Sequence, residues 1–227
     1  MEKRIEAIDL FCGAGGLSCG LSSEGIIIKA GIDSDPHCEY PFTGNHKGSK
    51  FILRDITQIT GKELKKYWSD GSVRLLAGCA PCQPFSSYAN TRTARDNSKW
   101  GLLYEFARLI NETMPDLVTM ENVPRLLTES PFSGFLKTLQ ELQYQVVYGV
   151  LNAADYGTPQ YRRRLVLLAS RIGNVNLPLP THRGSNEWVT VRDMISTLPV
   201  LEAGESDKKD PLHKASALSA LNLARIK

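Results

Sequence analysis

Short runs rich in β-branched and other apolar residues alternate along this chain with amphipathic stretches of helical period. That alternation restricts the fold to βαβ units on a largely parallel sheet. The pattern predicts strands over Ile5 to Phe11, Ile26 to Ile32, Lys50 to Arg54, Ser72 to Ala77, Asp116 to Met120, Tyr144 to Leu151 and Arg164 to Ala169. Helices are expected near Leu17 to Glu24, His37 to Thr43, Lys62 to Trp68, Leu102 to Glu112 and Phe132 to Leu142. The last two strands are joined by Asn152 to Arg163, rich in turn residues and too short for a crossover helix, so that pair is expected to be antiparallel. Beyond Arg171, the stretch Ile172 to Gly184 carries Gly173, Pro178, Pro180 and Gly184 and reads as a linker loop. Val191 to Leu198 and Pro211 to Ile226 read as short helical pieces, with the polar run Glu202 to Asp210 between them. Residues 1–171 are thus expected to form one α/β unit and 172–227 an extension.

Composition narrows the function classes. With 227 residues, 42% of them hydrophobic, the chain can bury one core of ordinary size, and wholesale disorder is excluded. A net charge of +3 does not announce a nucleic-acid binder, although residues 160–192 hold six arginines against the single acid Glu187. That stretch reads equally as a basic patch or a solvated face. No apolar run approaches the roughly 18 residues of a membrane span, and Glu6 and Asp9 interrupt any signal-peptide core. No membrane partner and a cytoplasmic location are expected. Five cysteines without a disulfide spacing point to reduced thiols.

Four short motifs carry the chemistry. Gly13, Gly15 and Gly16 follow the first strand and open a helix, which lets backbone approach a ligand closely; taken alone this is equally a tight turn. Asp33, ending the second strand, could accept hydrogen bonds from both ribose hydroxyls of an adenosine ligand, and Asp55, after the third, from an adenine amino group. Pro81-Cys82-Gln83 places a potential nucleophile on a proline-stiffened loop at a strand's carboxyl end. Cys79 and Cys82 also form a C-x-x-C, the spacing of a redox pair or of half a zinc site. No second pair or matching histidine supports zinc, so no metal is expected, and Cys79 reads as a structural strand-end thiol. Glu121-Asn122-Val123 puts a carboxyl group at the end of the fifth strand. Arg162 and Arg164, two apart on an extended segment, point to one face, and Arg163 points away.

In this order the motifs Phe11 to Gly16, Pro81-Cys82-Gln83, Glu121-Asn122-Val123 and Gln160 to Arg164 resemble the catalytic part of DNA cytosine-5 methyltransferases. The resemblance runs from about Ile5 to Arg171. It implies the seven-stranded, mostly parallel, Rossmann-like sheet of class I S-adenosylmethionine-dependent methyltransferases, with helices on both faces. It further implies S-adenosylmethionine as cofactor, held by Phe11, Gly13, Gly15, Gly16, Asp33, Ser34, Asp55, Ile56, Pro81 and Leu103. Ser34 stands where many relatives carry an aromatic residue, which leaves one adenine face less covered, and Leu103 matches the family's leucine at the methionine end better than Leu102. Cys82 would attack C6 of a cytosine and Glu121 would act at N3, with Arg162 and Arg164 fixing the base carbonyl and neighbouring carboxylate or phosphate. Gln83, Ser86, Arg92, Arg95 and Arg163 would meet double-stranded DNA, with Ser86 to Trp100 closing as a loop over an extruded base. A tRNA substrate, a non-catalytic binding remnant and a nicotinamide-dependent oxidoreductase are the competing readings. Target recognition and the family's closing motifs fall outside the resemblance, so a second polypeptide is expected to supply them, with Pro211 to Ile226 as part of its docking surface.

Overall fold

The computed structural model describes residues 4–81 and 101–226. Seven strands form one sheet in the order β3-β2-β1-β4-β5-β7-β6: β1 (Ile5–Leu10), β2 (Ile27–Asp33), β3 (Lys50–Leu53), β4 (Val73–Gly78), β5 (Leu117–Asn122), β6 (Gln145–Asn152) and β7 (Arg163–Ser170). The first five are parallel, and β7 inserts antiparallel between β5 and β6. The short β6–β7 connection dictates that geometry, because a turn of this length can only reverse the chain. Each observed strand lies within two residues of its expected bounds.

Neighbouring residues in the central strands feed opposite faces, as the pleat requires. Ile8, Ile32, Leu76 and Met120 join one buried cluster, whereas Ala7, Ile28 and Leu75 join another. The first cluster is covered by α4 (Gly101–Thr113) and α5 (Ser130–Glu141), whose apolar stripes bring Phe106 and Phe135 together with ring centroids 5.5 Å apart. Each of these rings is essentially fully buried, which stabilises by about 1.5–3 kcal/mol relative to exposure. Over the smaller cluster lie α1 (Gly16–Ser23) and α2 (Glu39–Asn45), contributing Leu21 and Phe42. Helix α3 (Gly61–Lys65) starts at a capping box, Thr60 with Glu63, which satisfies two orphan amides of its first turn.

After β7 the chain carries α6 (Val191–Ile195) and α7 (Ala220–Ile226), neither of which buries a residue. The helix expected over Pro211 to Ile226 is confined to its last turns. Asp207 accepts from the N–H groups of Lys209 and Asp210, Asp210 from that of Leu212, and Ser206 bridges to Lys214. Two aspartates whose side chains cap the backbone locally thus hold residues 206–214 in turns, competing with the helix.

Candidate active site

The chain steps outward from β1 to β3 on one side and from β4 to β5 on the other, so a crevice opens at the carboxyl ends of β1 and β4. A cleft of about 160 Å³ lies there, lined by Phe11, Asp33, Ser34, Arg54, Asp55, Ile56, Cys79, Pro81 and Leu102. The turn after β1 is left-handed at Phe11 (φ 58°), Gly13 (φ 52°) and Gly15 (φ 91°). Its amide at Gly13 donates to Asp33 Oδ2 at 2.9 Å, and Asp35 N–H donates to Oδ1 at 3.0 Å, which pins the carboxylate at the mouth of the turn. Gly15 is required sterically as well, because a Cβ there would stand 2.4 Å from Nε2 of buried His46, whose ring meets the Gly15 carbonyl at 3.0 Å. Beneath the turn, fully buried Asp9 accepts from the Ser18 hydroxyl at 2.7 Å. Burial pushes its carboxyl up to about 6, an effect that Ser18 only partly offsets.

On the far wall, Asp55 caps a 3₁₀ turn over Ile56–Gln58 by accepting from the Thr57 amide and hydroxyl. Arg108 of α4 fixes that turn from below through the carbonyls of Ile56 and Ile59, at 3.1 and 3.0 Å. Leu103 departs from expectation. It is 4% exposed and packs in the main core, and Leu102 lines the cleft instead. Successive helix positions lie about 100° apart, and here that step turns Leu103 into the core while Leu102 borders the cleft. Gly16 opens α1 with open space around it.

A second cavity of about 300 Å³ opens by the ends of β5 and β7, lined by Glu121, Leu151, Ala153, Tyr156, Arg162, Arg164, Val166 and Pro178. Antiparallel register sets Glu121 opposite Val166 and thereby brings the flanking arginines to the carboxylate. Arg164 Nε lies 2.9 Å and Arg162 Nη2 3.8 Å from Glu121 Oε1. Arg163, first in β7, is exposed. The next residue on β5, Asn122, is buried, donates to the Ala80 carbonyl at 3.0 Å and accepts from the Val123 amide at 2.8 Å. It therefore ties the end of β5 to the loop that enters Cys82.

Cys79 sits beside Glu121, one residue past the Gly78–Met120 pair. Burial first, then the charges of Glu121 and Asp9, push its thiol up to about 12, so it stays protonated and a poor nucleophile at neutral pH. Cys82, Gln83, Ser86, Arg92 and Arg95 lie outside the described residues. Arg54, Tyr156 and Pro178 were not singled out from sequence as site residues; Leu102 stood second to Leu103, Cys79 read as structural, and Asn122 entered only as part of the Glu121-Asn122-Val123 motif, without a role of its own.

A sheet in this order, with a glycine turn after β1 and acids after β2 and β3, defines the Rossmann-like class I methyltransferase fold. Comparison with solved structures agrees: a protein described as a prophage-encoded DNA modification methyltransferase of E. coli superposes with a TM-score of 0.72 at 25% identity, over 89% of this chain and 57% of that one. Residues 5–220 match the family described as C-5 cytosine-specific DNA methylase. "Type II methylase M.HgiDII" of Herpetosiphon aurantiacus is 44% identical over 222 residues, which are 96% of this chain and 62% of that protein. "Type II methyltransferase M.AquIA" of Picosynechococcus is 33% identical over 88% of this chain and 90% of that one. The chain belongs to the C-5 cytosine-specific DNA methylase family. It spans between half and two thirds of several curated relatives, among them M.HgiDII and M1.HphI of Haemophilus parahaemolyticus, at 62% and 54%. Among the described residues no helix is long and apolar enough to cross a membrane.

Proposed function

We propose that this chain carries the catalytic centre of a cytosine-5 methyltransferase acting on double-stranded DNA, with S-adenosylmethionine as methyl donor. The observation that supports it best is the Glu121 carboxylate, held by Arg164 and Arg162 and tied through Asn122 to the loop entering Cys82. S-adenosylmethionine, when bound, supplies an electrophilic methyl group. The cleft fits its nucleoside end: Asp33 is oriented at the glycine turn with acceptor capacity left for ribose hydroxyls, Asp55 is an acceptor on the opposite wall, and Phe11 and Ile56 offer apolar surface. Ser34 lines the same cleft and adds no ring.

The reacting base must leave the stack to be reached, at a cost on the order of a few kcal/mol. Cytosine C5 is a poor nucleophile until a bond forms at C6. The Cys82 thiolate makes that S–C6 bond, and electron density moves onto N3, where Glu121 donates or shares a proton. C5 then accepts the methyl group, and the N3 proton returns to Glu121. Loss of the C5 proton, to water or to a base that no residue here identifies, drives cleavage of the S–C6 bond and returns the thiolate. Glu121 also accepts from the 4-amino group, which favours cytosine over thymine.

Reading of the neighbouring bases is assigned to a further module, on another chain or on a continuation of this one, because 38% of M.HgiDII lies outside its match (100% less the 62% spanned). Duplex DNA containing 5-fluorocytosine tests the centre, since fluorine at C5 cannot leave as a proton and traps the adduct. The expected adduct is at Cys82, and Cys82→Ser abolishes it. Adduct at Cys79, or methylation of tRNA in place of DNA, would overturn the assignment. Site-specific methylation by the 227-residue chain alone would remove the need for a separate module, whereas activity restored only by a second chain would establish it.

A further inference from the structure

The 3₁₀ turn Ala153–Tyr156 between β6 and β7 is tied to a distant stretch of chain. The Asp155 carbonyl accepts from the N–H groups of Thr181 and His182, both at 2.9 Å, and its carboxylate accepts from the Trp188 indole at 2.8 Å. The Tyr156 hydroxyl donates to the Pro178 carbonyl at 2.9 Å, and Leu177 lies against Gly149. Gly157 takes φ +84°, and a Cβ there would stand 3.0 Å from the His182 ring. The Trp188 ring in turn meets Tyr161, next to Arg162, at 5.7 Å between centroids. Residues 177–188, of which those up to Gly184 read as linker in sequence, are therefore a strap drawn across the β6–β7 connection.

We infer that this strap, latched by Asp155 and Trp188, positions the arginine-bearing turn and one wall of the Glu121 cavity for catalysis. The inference rests on the role proposed for Glu121 and its arginines. Tyr156 and Pro178, pinned to each other, complete the wall facing Glu121 and Arg164. Arg162 is fixed mainly through its backbone, its N–H donating to Asn152 Oδ1 at 3.0 Å and its carbonyl accepting from Ala153 at 2.9 Å. Its half-exposed side chain, 3.8 Å from Glu121, can hold that place only if the turn beneath it is rigid. A long side chain on a loosened turn loses orientation, and misplacement of this kind costs rate steeply. Asp155 and Trp188 touch no reacting atom and are positioning residues.

Three variants of the full chain separate this from a merely structural role. Trp188→Phe removes only the indole donor and keeps a ring against Tyr161, Asp155→Ala removes the acceptor, and Asp155→Asn retains an acceptor oxygen. The first two are expected to raise hydrogen exchange at Thr181 and His182 and to lower single-turnover methylation of duplex DNA by ~10-fold, with calorimetric affinity for S-adenosylmethionine nearly unchanged. Asp155→Asn is expected to restore both protection and rate. Freed amides with wild-type turnover, or unchanged exchange in both disruptive variants, would overturn the inference. A wild-type chain that methylates no DNA, alone or with its recognition module, overturns the proposed function and the positioning role with it, while the exchange data still decide whether the strap is latched.

Discussion

The two cavities at the carboxyl edge of this sheet are built in different ways. The cleft at β1 to β3 is made of main chain: left-handed residues in one turn, an amide on Asp33 and a capped turn at Asp55. The Glu121 cavity is made of side chains brought together by strand register, from β5, β7, the β6–β7 turn and the strap. The first depends on backbone conformation, left-handed at Phe11, Gly13 and Gly15, and Ser34 lines it without a ring. In the second, each side chain's chemistry matters and the backbone serves to place it. Under the proposed function the first would bind a constant ligand, which peptide geometry can serve, whereas the second would exchange a proton and needs partners at set distances.

The largest expected effect would break the second site and spare the first. Glu121→Gln keeps the shape and an acceptor for Arg164 but not the transferable proton. Turnover on duplex DNA should fall on the order of 10²-fold or more, with cofactor affinity nearly kept. Single-turnover rates beside calorimetry check this, and equal losses in both would merge the two sites.

Under the glycine turn, Asp9 predicts a pH effect on stability that originates at the first site. Its carboxyl is raised to about 6 by burial, so the native state holds the proton more tightly than the unfolded chain does. The stability this gives is full below the unfolded value of about 4 and is lost as pH rises through about 6. A shift of about two units corresponds to about 3 kcal/mol. Denaturant unfolding from pH 4 to 7 should show the wild type losing about that much relative to Asp9→Asn. Parallel curves for the two proteins would mean that Asp9 does not titrate in this range.

Asp33→Ala should weaken S-adenosylmethionine binding by about 10- to 100-fold, the usual worth of hydrogen bonds to a charged group, and leave the rate at saturation close to wild type. The smallest effect is expected at Cys79, which lies between the two cavities. Because its thiol stays protonated, Cys79→Ser should retain most activity, and its alkylation rate should remain far below that of Cys82 at neutral pH. Loss of activity comparable to that of Cys82→Ser would make Cys79 a chemical participant and blur the division between the sites.

The sequence by itself determined the strands and their direction, and it marked Phe11, Asp33, Ser34, Asp55, Ile56 and Pro81 among the residues that line the β1 to β3 cleft. Apolar periodicity and glycine spacing act over a few positions: Phe11 closes a legible strand, Asp33 and Asp55 each stand one residue beyond one, and Pro81 stands four beyond another. It also marked Glu121 and the arginine pair, since alternation fixes which side chains share a face. Only the tertiary structure decided which groups meet. That Leu102 faces the cleft in place of Leu103 depends on how α4 is rolled against the sheet, through Phe106 and Arg108. That Asn122 reaches Ala80, and that Asp155 holds Trp188, depends on contacts between residues 42 and 33 positions apart in the chain. No local propensity encodes such pairs; they are selected when the whole sheet closes and every buried donor must find an acceptor.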